Sequence, residues 1–377
     1  MRGQRLLGHR RPLLSLSTST PPFPSRAIPQ QQQQRIVTPL QPSSPTSFIS
    51  VSQPRHFTTT PPKPSPNNPS KMSAAAPRPG SPNRALLESE VKRNPHPDFK
   101  TVESSRPPWD ASSVLTYTQT ASPSWTFGDG ANGTDPAAET TPHISIDPYA
   151  AGRPATFNYK LLISAIIPRP IAFLSTRSAD GTSTNLAPFS YFQLISHDPP
   201  LFIIGFVGTL PAGGRCKDSL RNLHETGECV INIIGEGFVE AANSTSIDAP
   251  YGLSEWDVSG LTPKYDCETV KCARVGEAVF SIEGKLESVR EFESRVVKGR
   301  VTSTLAVVEG TRFWAREDAI NEERSLVDTK VLRPIARLGG ITYARMTEAV
   351  EIPRPDFKKD LGEEGAAKLK SKQQLPN

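Results

Sequence analysis

Cysteine is scarce: four residues in 377 (Cys216, Cys229, Cys267 and Cys272), with no Cys-x-x-Cys among them. That excludes a disulfide scaffold and reads most simply as free thiols in a reducing compartment. No run of 18 apolar residues occurs, which argues against a membrane-spanning helix. No Gly-x-Gly-x-x-Gly follows the first strand-like run and no Gly-x-x-x-x-Gly-Lys-Ser/Thr is present, so neither a Rossmann fold nor a P-loop is supported. The Gly-x-Ser-x-Gly elbow of a serine hydrolase is missing. His143, His197 and His224 do not stand at metal-ligand spacing with Cys or Asp. The carboxylates are scattered, with no pair identifiable as a glycosidase acid and base. No residue is therefore singled out as catalytic, and none as a metal ligand.

Acid is also absent from the first 87 residues, which carry eleven Lys or Arg and 17 of the 38 prolines. The overall charge of +5 thus conceals a +11 leader on a body of −6. A basic tail on an acidic body is not the composition of a nucleic-acid-binding domain; it is that of an address or a tether. Residues 1–20 interleave Arg2, Arg5, Arg10 and Arg11 with Leu6, Leu7, Leu13, Leu14 and Leu16. This is the pattern of a mitochondrial presequence, and equally of a plain disordered basic leader. A Gln run at 30–34 and Pro, Ser and Thr through residue 70 offer too little apolar surface to offset ordering. Met72 is a second plausible start, from which the product would be cytoplasmic. The expected organisation is a disordered basic leader over 1–80 and a Pro/Ser-rich linker or docking arm over 81–150. A folded domain over 151–355 and a polar tail over 356–377, expected to fray, complete it. Within the linker, Ala85–Lys92 has the pattern of a short helix, and Trp109, Trp125 and Phe127 are aromatic points by which an arm can dock.

In the body, apolar runs become dense and are separated by turn signals. Tyr159–Ile167 reads as a short helix or turn stopped by Pro168. Strands are predicted at Ile171–Thr176, Leu201–Val207 and Cys229–Ile234, with a return segment at Asn185–Ser190. A helix is predicted over Lys217–Thr226, with Gly227 as its stop, and a short one over Phe238–Asn243. Two long strand-like runs follow at Glu277–Val289 and Val301–Ala315. Antiparallel strands with few helices suggest a small barrel.

Three segments carry polar groups suited to a ligand. In Pro168–Pro200, Ser175, Thr176, Asn185 and Ser190 interrupt apolar strands, as hydroxyls and amides would around a neutral, planar, polar-edged ligand. Ordinary turn chemistry explains the same residues. In Arg215–Ser219, Lys217 and Ser219 stand at a helix start, where a cation, a hydroxyl and free N–H groups suit a phosphate; a capped helix start is the other reading. Cys216, beside Lys217, reads as an unreactive thiol. In Leu332–Tyr343, Arg333 and Arg337 precede Gly339-Gly340, either a close backbone approach to a flat ligand or a plain turn.

Taken together, RPIAFLSTRSADGTSTNLAPFSYF, KDSLRNLHETGECVINI, RPIARLGGITY and the closing IPRP resemble the flavin-reductase-like, flavoredoxin-type branch of the FMN-binding split barrels. The resemblance covers about Thr156 to Pro355. It implies a mainly β fold, a split β-barrel with a few short helices, assembled as a homodimer that holds FMN noncovalently. It implies that Ser175, Thr176, Asn185 and the backbone around Ala187, Pro188 and Ser190 line the flavin. By the same resemblance, Lys217 and Ser219 meet the phosphate, Ser219 standing where Thr is more usual, and the segment Arg337–Gly339–Tyr343 also meets the cofactor. Residues 290–300 read as a charged elaboration. The implied function is an FMN-binding oxidoreductase, a flavin reductase with NADH or NADPH as transient donor and flavin or another redox acceptor. A flavin carrier without nicotinamide activity and a noncatalytic barrel are the alternatives.

Overall fold

The computed structural model describes residues 94–373 apart from 134, 136, 138–139, 212–215 and 251–252, and side chains through 371. The leader, the expected helix at Ala85–Lys92, Met72 and Arg215 lie outside the described residues. All described residues belong to one unit, Arg78–Asn377. No helix among them is long and apolar enough to cross a membrane.

The elements in chain order are α1 (Phe99–Ser104), β1 (Thr116–Thr118), α2 (Ala155–Ala165), β2 (Ala172–Arg177), β3 (Thr184–Phe189), β4 (Phe192–His197) and β5 (Pro200–Val207). There follow α3 (Asp218–Thr226), β6 (Glu228–Ile233), α4 (Val239–Ser244), α5 (Glu255–Ser259), β7 (Pro263–Lys264), β8 (Arg274–Val275), β9 (Phe280–Glu293) and β10 (Val301–Ala315). The chain closes with α6 (Thr329–Leu332), β11 (Ile335–Arg337), β12 (Tyr343–Arg345), β13 (Glu348–Val350) and α7 (Gly362–Gln373).

Seven strands form one antiparallel sheet in the order β3-β2-β6-β9-β10-β5-β4. Its two outer strands, β3 and β4, are consecutive in the chain and joined only by Ser190 and Tyr191. At about 3.3–3.6 Å per extended residue, so short a link holds the ends of the sheet close together. The sheet is thereby bent into a barrel that is hydrogen-bonded everywhere except along the β3–β4 seam, a split β-barrel. The seam also explains Pro188, which sits mid-strand but on an outer strand, where its missing N–H costs no ladder bond on the open side.

Alternation along β2 divides the core. Ala172 and Leu174 join Phe202, Ile204, Phe206, Ile231, Ala306 and Val308 in one buried cluster, which Leu220 and Leu223 of α3 cap. Ile171 and Phe173 face the other side, with Leu186, Phe238, Trp256 and Ile335. Helix α3 ends as its sequence predicts: Gly227 adopts φ +68° and its N–H bonds the Leu223 carbonyl, a left-handed cap that glycine takes without strain. The 290–300 segment is the exposed end of the β9–β10 hairpin.

Two termini differ from expectation. The tail expected to fray is helical over Gly362–Gln373; its Glu363, Glu364, Ala366, Ala367 and Leu369 are good helix formers outweighing two glycines. The arm docks by backbone as much as by aromatics. Strand β1 pairs in parallel with β13, while Arg345 lies over the Trp109 ring at 4.2 Å and donates to the Asp110 and Ser113 carbonyls. Trp125 and Phe127 instead pack edge-on against each other, 5.9 Å apart.

Candidate functional site

A cavity of about 950 Å3 opens along the seam, within the roughly 300–1,000 Å3 usual for small-molecule and cofactor sites. Strand β3 and the corner contribute Asn185, Ala187, Pro188, Phe189, Ser190 and Tyr191, and β5 contributes Gly205 and Val207. Gly205 allows the corner to close tightly, since a Cβ there would stand 3.0 Å from the Tyr191 Cβ and the corner would have to give. The start of α3 adds Cys216, Lys217, Asp218 and Ser219, the loop after α4 adds Thr245–Ala249, and β11–β12 add Arg337, Gly340 and Tyr343.

The three segments singled out in the sequence therefore meet in one place. Asn185, Ala187, Pro188, Ser190, Lys217, Ser219, Arg337 and Tyr343 all line this cavity. Ser175 and Thr176 do not. Both are buried in the body of β2, and the Thr176 hydroxyl accepts from Asn222 on α3 at 3.3 Å. Strand order accounts for this: Thr176 pairs with Asn185 across the ladder, and only the outer strand of that pair reaches the seam. Gly339 packs its backbone against α2, where a Cβ would lie 3.2 Å from Ser164 Cα, and lines an adjoining cleft rather than this cavity.

At the α3 end, Asn185 Nδ2 donates to Ser219 Oγ at 2.8 Å. The buried Ser219 hydroxyl then has its own proton left to donate. Lys217 is the extended N-cap residue, and its side chain makes no capping bond, so the first turn of α3 presents backbone N–H groups. Burial raises the Asp218 carboxyl pKa above its ordinary value despite Arg221 and Lys217 nearby. Burial likewise raises Glu255, whose Oε2 accepts the Leu186 amide at 3.2 Å. Burial pushes the Cys216 thiol up to about 11, leaving it protonated and poorly nucleophilic at neutral pH, as its sequence reading held.

The opposite wall holds two arginines. Arg169 and Arg337 exchange backbone hydrogen bonds of 3.0 and 2.9 Å. Arg169 was not singled out by sequence, although Arg-Pro after the predicted helix stop was visible. Its buried guanidinium donates to the Ile163, Ile166 and Leu338 carbonyls and to Ser190 Oγ, closing the end of α2 onto the sheet. Burial lowers its pKa. Arg337 lies over the Tyr343 ring at 4.2 Å and donates through Nη2 to the Gly340 carbonyl. Its Nη1 is buried with no partner among the described residues. Arg333 is committed elsewhere, clamped with Arg345 on the buried Glu236 and on arm carbonyls. Tyr159, Tyr191, Glu255 and the 245–249 loop also went unsignalled. They come from separate stretches with no shared motif, and only the fold brings them together.

An unpaired buried guanidinium nitrogen, a hydroxyl ready to donate, a helix N-terminus and a lysine together suit an acceptor-rich anion. The mouth is apolar: Val207 is 60% exposed and Tyr191 42%.

The chain is similar to known proteins in sequence and in fold. Residues 164–333 match the family described as the flavin reductase like domain. An uncharacterized protein of Halalkalibacterium halodurans is 35% identical over 198 residues, 52% of this chain and 91% of that one. One from Bacillus subtilis is 35% identical over 197 residues, again 52% of this chain and 93% of its own. Among solved structures, nitrilotriacetate monooxygenase component B from Bacillus cereus shares 32% identity and a TM-score of 0.52, with 56% of this chain covering 100% of that one.

Proposed function

We propose, from the premise that this chain belongs to the flavin reductase-like family and is a flavin-dependent oxidoreductase, that it binds FMN in the seam cavity and reduces it with NADH or NADPH. The observation that carries the reading is the α3 end of the cavity, where Lys217, the Ser219 hydroxyl and backbone N–H groups make one compact site for one phosphate. That is the anion count of FMN. The orphaned Arg337 Nη1 on the opposite wall is a donor for a second acceptor edge. When bound, the flavin supplies the redox chemistry, with N5 as the hydride acceptor and a second flavin or another small molecule as the final acceptor.

The chain's own residues have other work. Asn185 holds Ser219 with its proton directed outward. Ser190 and the Ala187–Pro188 backbone offer small polar groups along the seam, consistent with the planar ligand expected from their sequence. Arg169 fixes the wall through carbonyls and a hydroxyl, so its own charge stands beside the cavity without a carboxylate partner. No side chain is needed as nucleophile or general base.

The apolar mouth supports a homodimer. Tyr191 and Val207 line the cavity and are exposed, and Leu194 and Ile195 of β4 continue the apolar edge at 53% and 51% exposure. A twofold partner seated there would cover the flavin edge. For the leader, the proposal remains import into the mitochondrion, with cytoplasmic product from Met72. A fusion of residues 1–71 that stays diffuse in the cell would count against import.

The activity is tested by anaerobic stopped-flow mixing of the FMN-loaded protein with NADH and with NADPH. Bleaching of the visible flavin band that saturates with donor is expected. Reduction by dithionite alone would move the assignment to a flavin carrier.

A further inference from the structure

Beside the seam cavity lies a second cleft of about 490 Å3, between the arm, α2 and the turn after β11. The two adjoin at Tyr159, Ile163, Gly340 and Tyr343. Its charged lining is all of one sign: Arg106 and Lys160, with His96 alongside and no Asp or Glu. That is unusual in a body whose formal charge is −6. The Arg106 guanidinium rests over the Phe99 ring at 5.9 Å, and neither Arg106 nor Lys160 forms an ion pair among the described residues. Phe99 and Tyr159 add aromatic surface, and the Gly339-Gly340 turn exposes backbone. Aromatic faces take a flat base, while unopposed cations take phosphate.

We propose that this cleft is a second ligand site, and that it takes the phosphorylated adenosine end of NADPH. The inference rests on the reading that a nicotinamide donor reduces flavin in the neighbouring cavity. It assigns the donor's other half to a wall built by residues 95–106, which lie outside the matched family segment 164–333. Arg333, which precedes the Gly339-Gly340 turn in sequence, is already bound to Glu236, so the phosphate-binding role falls to Arg106 and Lys160. NADH, lacking the 2′-phosphate, gains nothing from that pair, and the site makes the protein selective for NADPH.

The test is calorimetric titration of the full-length, FMN-loaded protein with adenosine 2′,5′-bisphosphate and with 5′-AMP, in wild type and in the double variant Arg106→Ala, Lys160→Ala. Both side chains are exposed and neither lines the seam cavity, so FMN affinity and the thermal midpoint should stay at wild-type values. The bisphosphate should bind wild type at least about tenfold more tightly than 5′-AMP, and the double variant should lose about tenfold or more of that affinity. Equal binding of the two nucleotides, no binding, or equal binding to wild type and variant would overturn the proposal. Stopped-flow reduction separates this from the donor reading. If bisphosphate binds with the expected pattern while NADPH leaves the flavin oxidised, the cleft stands and the reductase assignment falls. If NADH and NADPH reduce the flavin equally well and the variant changes neither, the assignment stands and the cleft falls.

Discussion

At Glu283 four donors converge on one buried carboxylate, whereas at Glu255, also buried, the Leu186 amide is the donor reaching it from elsewhere in the chain. Burial would raise the pKa of either. At Glu283 the Thr269 hydroxyl, the Trp314 indole and the Glu268 and Thr269 amides overcome it and hold the group at about 2; at Glu255 burial prevails and the pKa rises. The Glu283 cluster, like Asn232 with its bonds to Phe173, Val275 and Ser281, is complete within the chain and ties the β7–β8 side to the barrel. The cavity around Glu255 is incomplete, and Arg337 Nη1 is left over there. Buried polar groups that satisfy one another hold a fold together; those left short mark where something else belongs.

The largest test of this contrast removes the complete side. Glu283→Ala leaves several buried donors unpaired and should cost about 3–5 kcal/mol of stability by denaturant unfolding, with FMN affinity unchanged in the folded fraction. The same group sets an acid limb. Its folded pKa of about 2 lies below its ordinary 4.5, so its stabilisation is complete above pH 4.5 and is lost as pH falls from there toward 2. A Glu283→Gln variant should show a flatter thermal midpoint across that window.

On the incomplete side, Lys217→Ala should weaken FMN by about 1.5–3 kcal/mol, the range of a charge-assisted hydrogen bond. Riboflavin, which lacks the phosphate, should bind the variant and wild type alike in fluorescence titration. Equal losses for both would remove Lys217 from the phosphate site. Ser219→Ala should cost FMN about 1 kcal/mol, the net worth of a neutral hydrogen bond, again sparing riboflavin. The smallest effect belongs to Glu255→Gln. With its folded pKa raised, the ionised form weakens the fold as pH rises through and above the ordinary value, so a neutral isostere should leave the thermal midpoint at pH 7 unchanged or slightly higher. A loss of stability comparable to that of Glu283→Ala would erase the contrast between the two regions.

The barrel was legible because apolar runs and the turn residues that bound them are local. Strands β2, β3, β5 and β6, helix α3 and its Gly227 stop appear within about two residues of their predicted bounds. Eight of the eleven residues expected at the cofactor line one cavity, and they lie in the segments that carry the family resemblance. Ser175 and Thr176 misled because a hydroxyl in a strand has the same composition whether it faces a seam or a helix. Arg169, Glu255 and the basic cleft were invisible, as each depends on which distant segments the fold makes neighbours. The tail helix was missed because polarity was read as fraying when it was equally the composition of a solvated helix.

The pairing of β1 with β13 has a consequence for how the molecule is made. Thr116 donates to the Thr347 carbonyl across 231 positions, so among the described residues the arm's strand partner follows every strand of the barrel. Synthesis delivers the arm before the barrel and its dock after it. Until β13 emerges, β1 has no sheet to join, and closing so long a loop gains little before the barrel has already brought the ends together. A chain truncated ahead of β13 keeps every barrel strand yet loses the strand pairing that docks the arm.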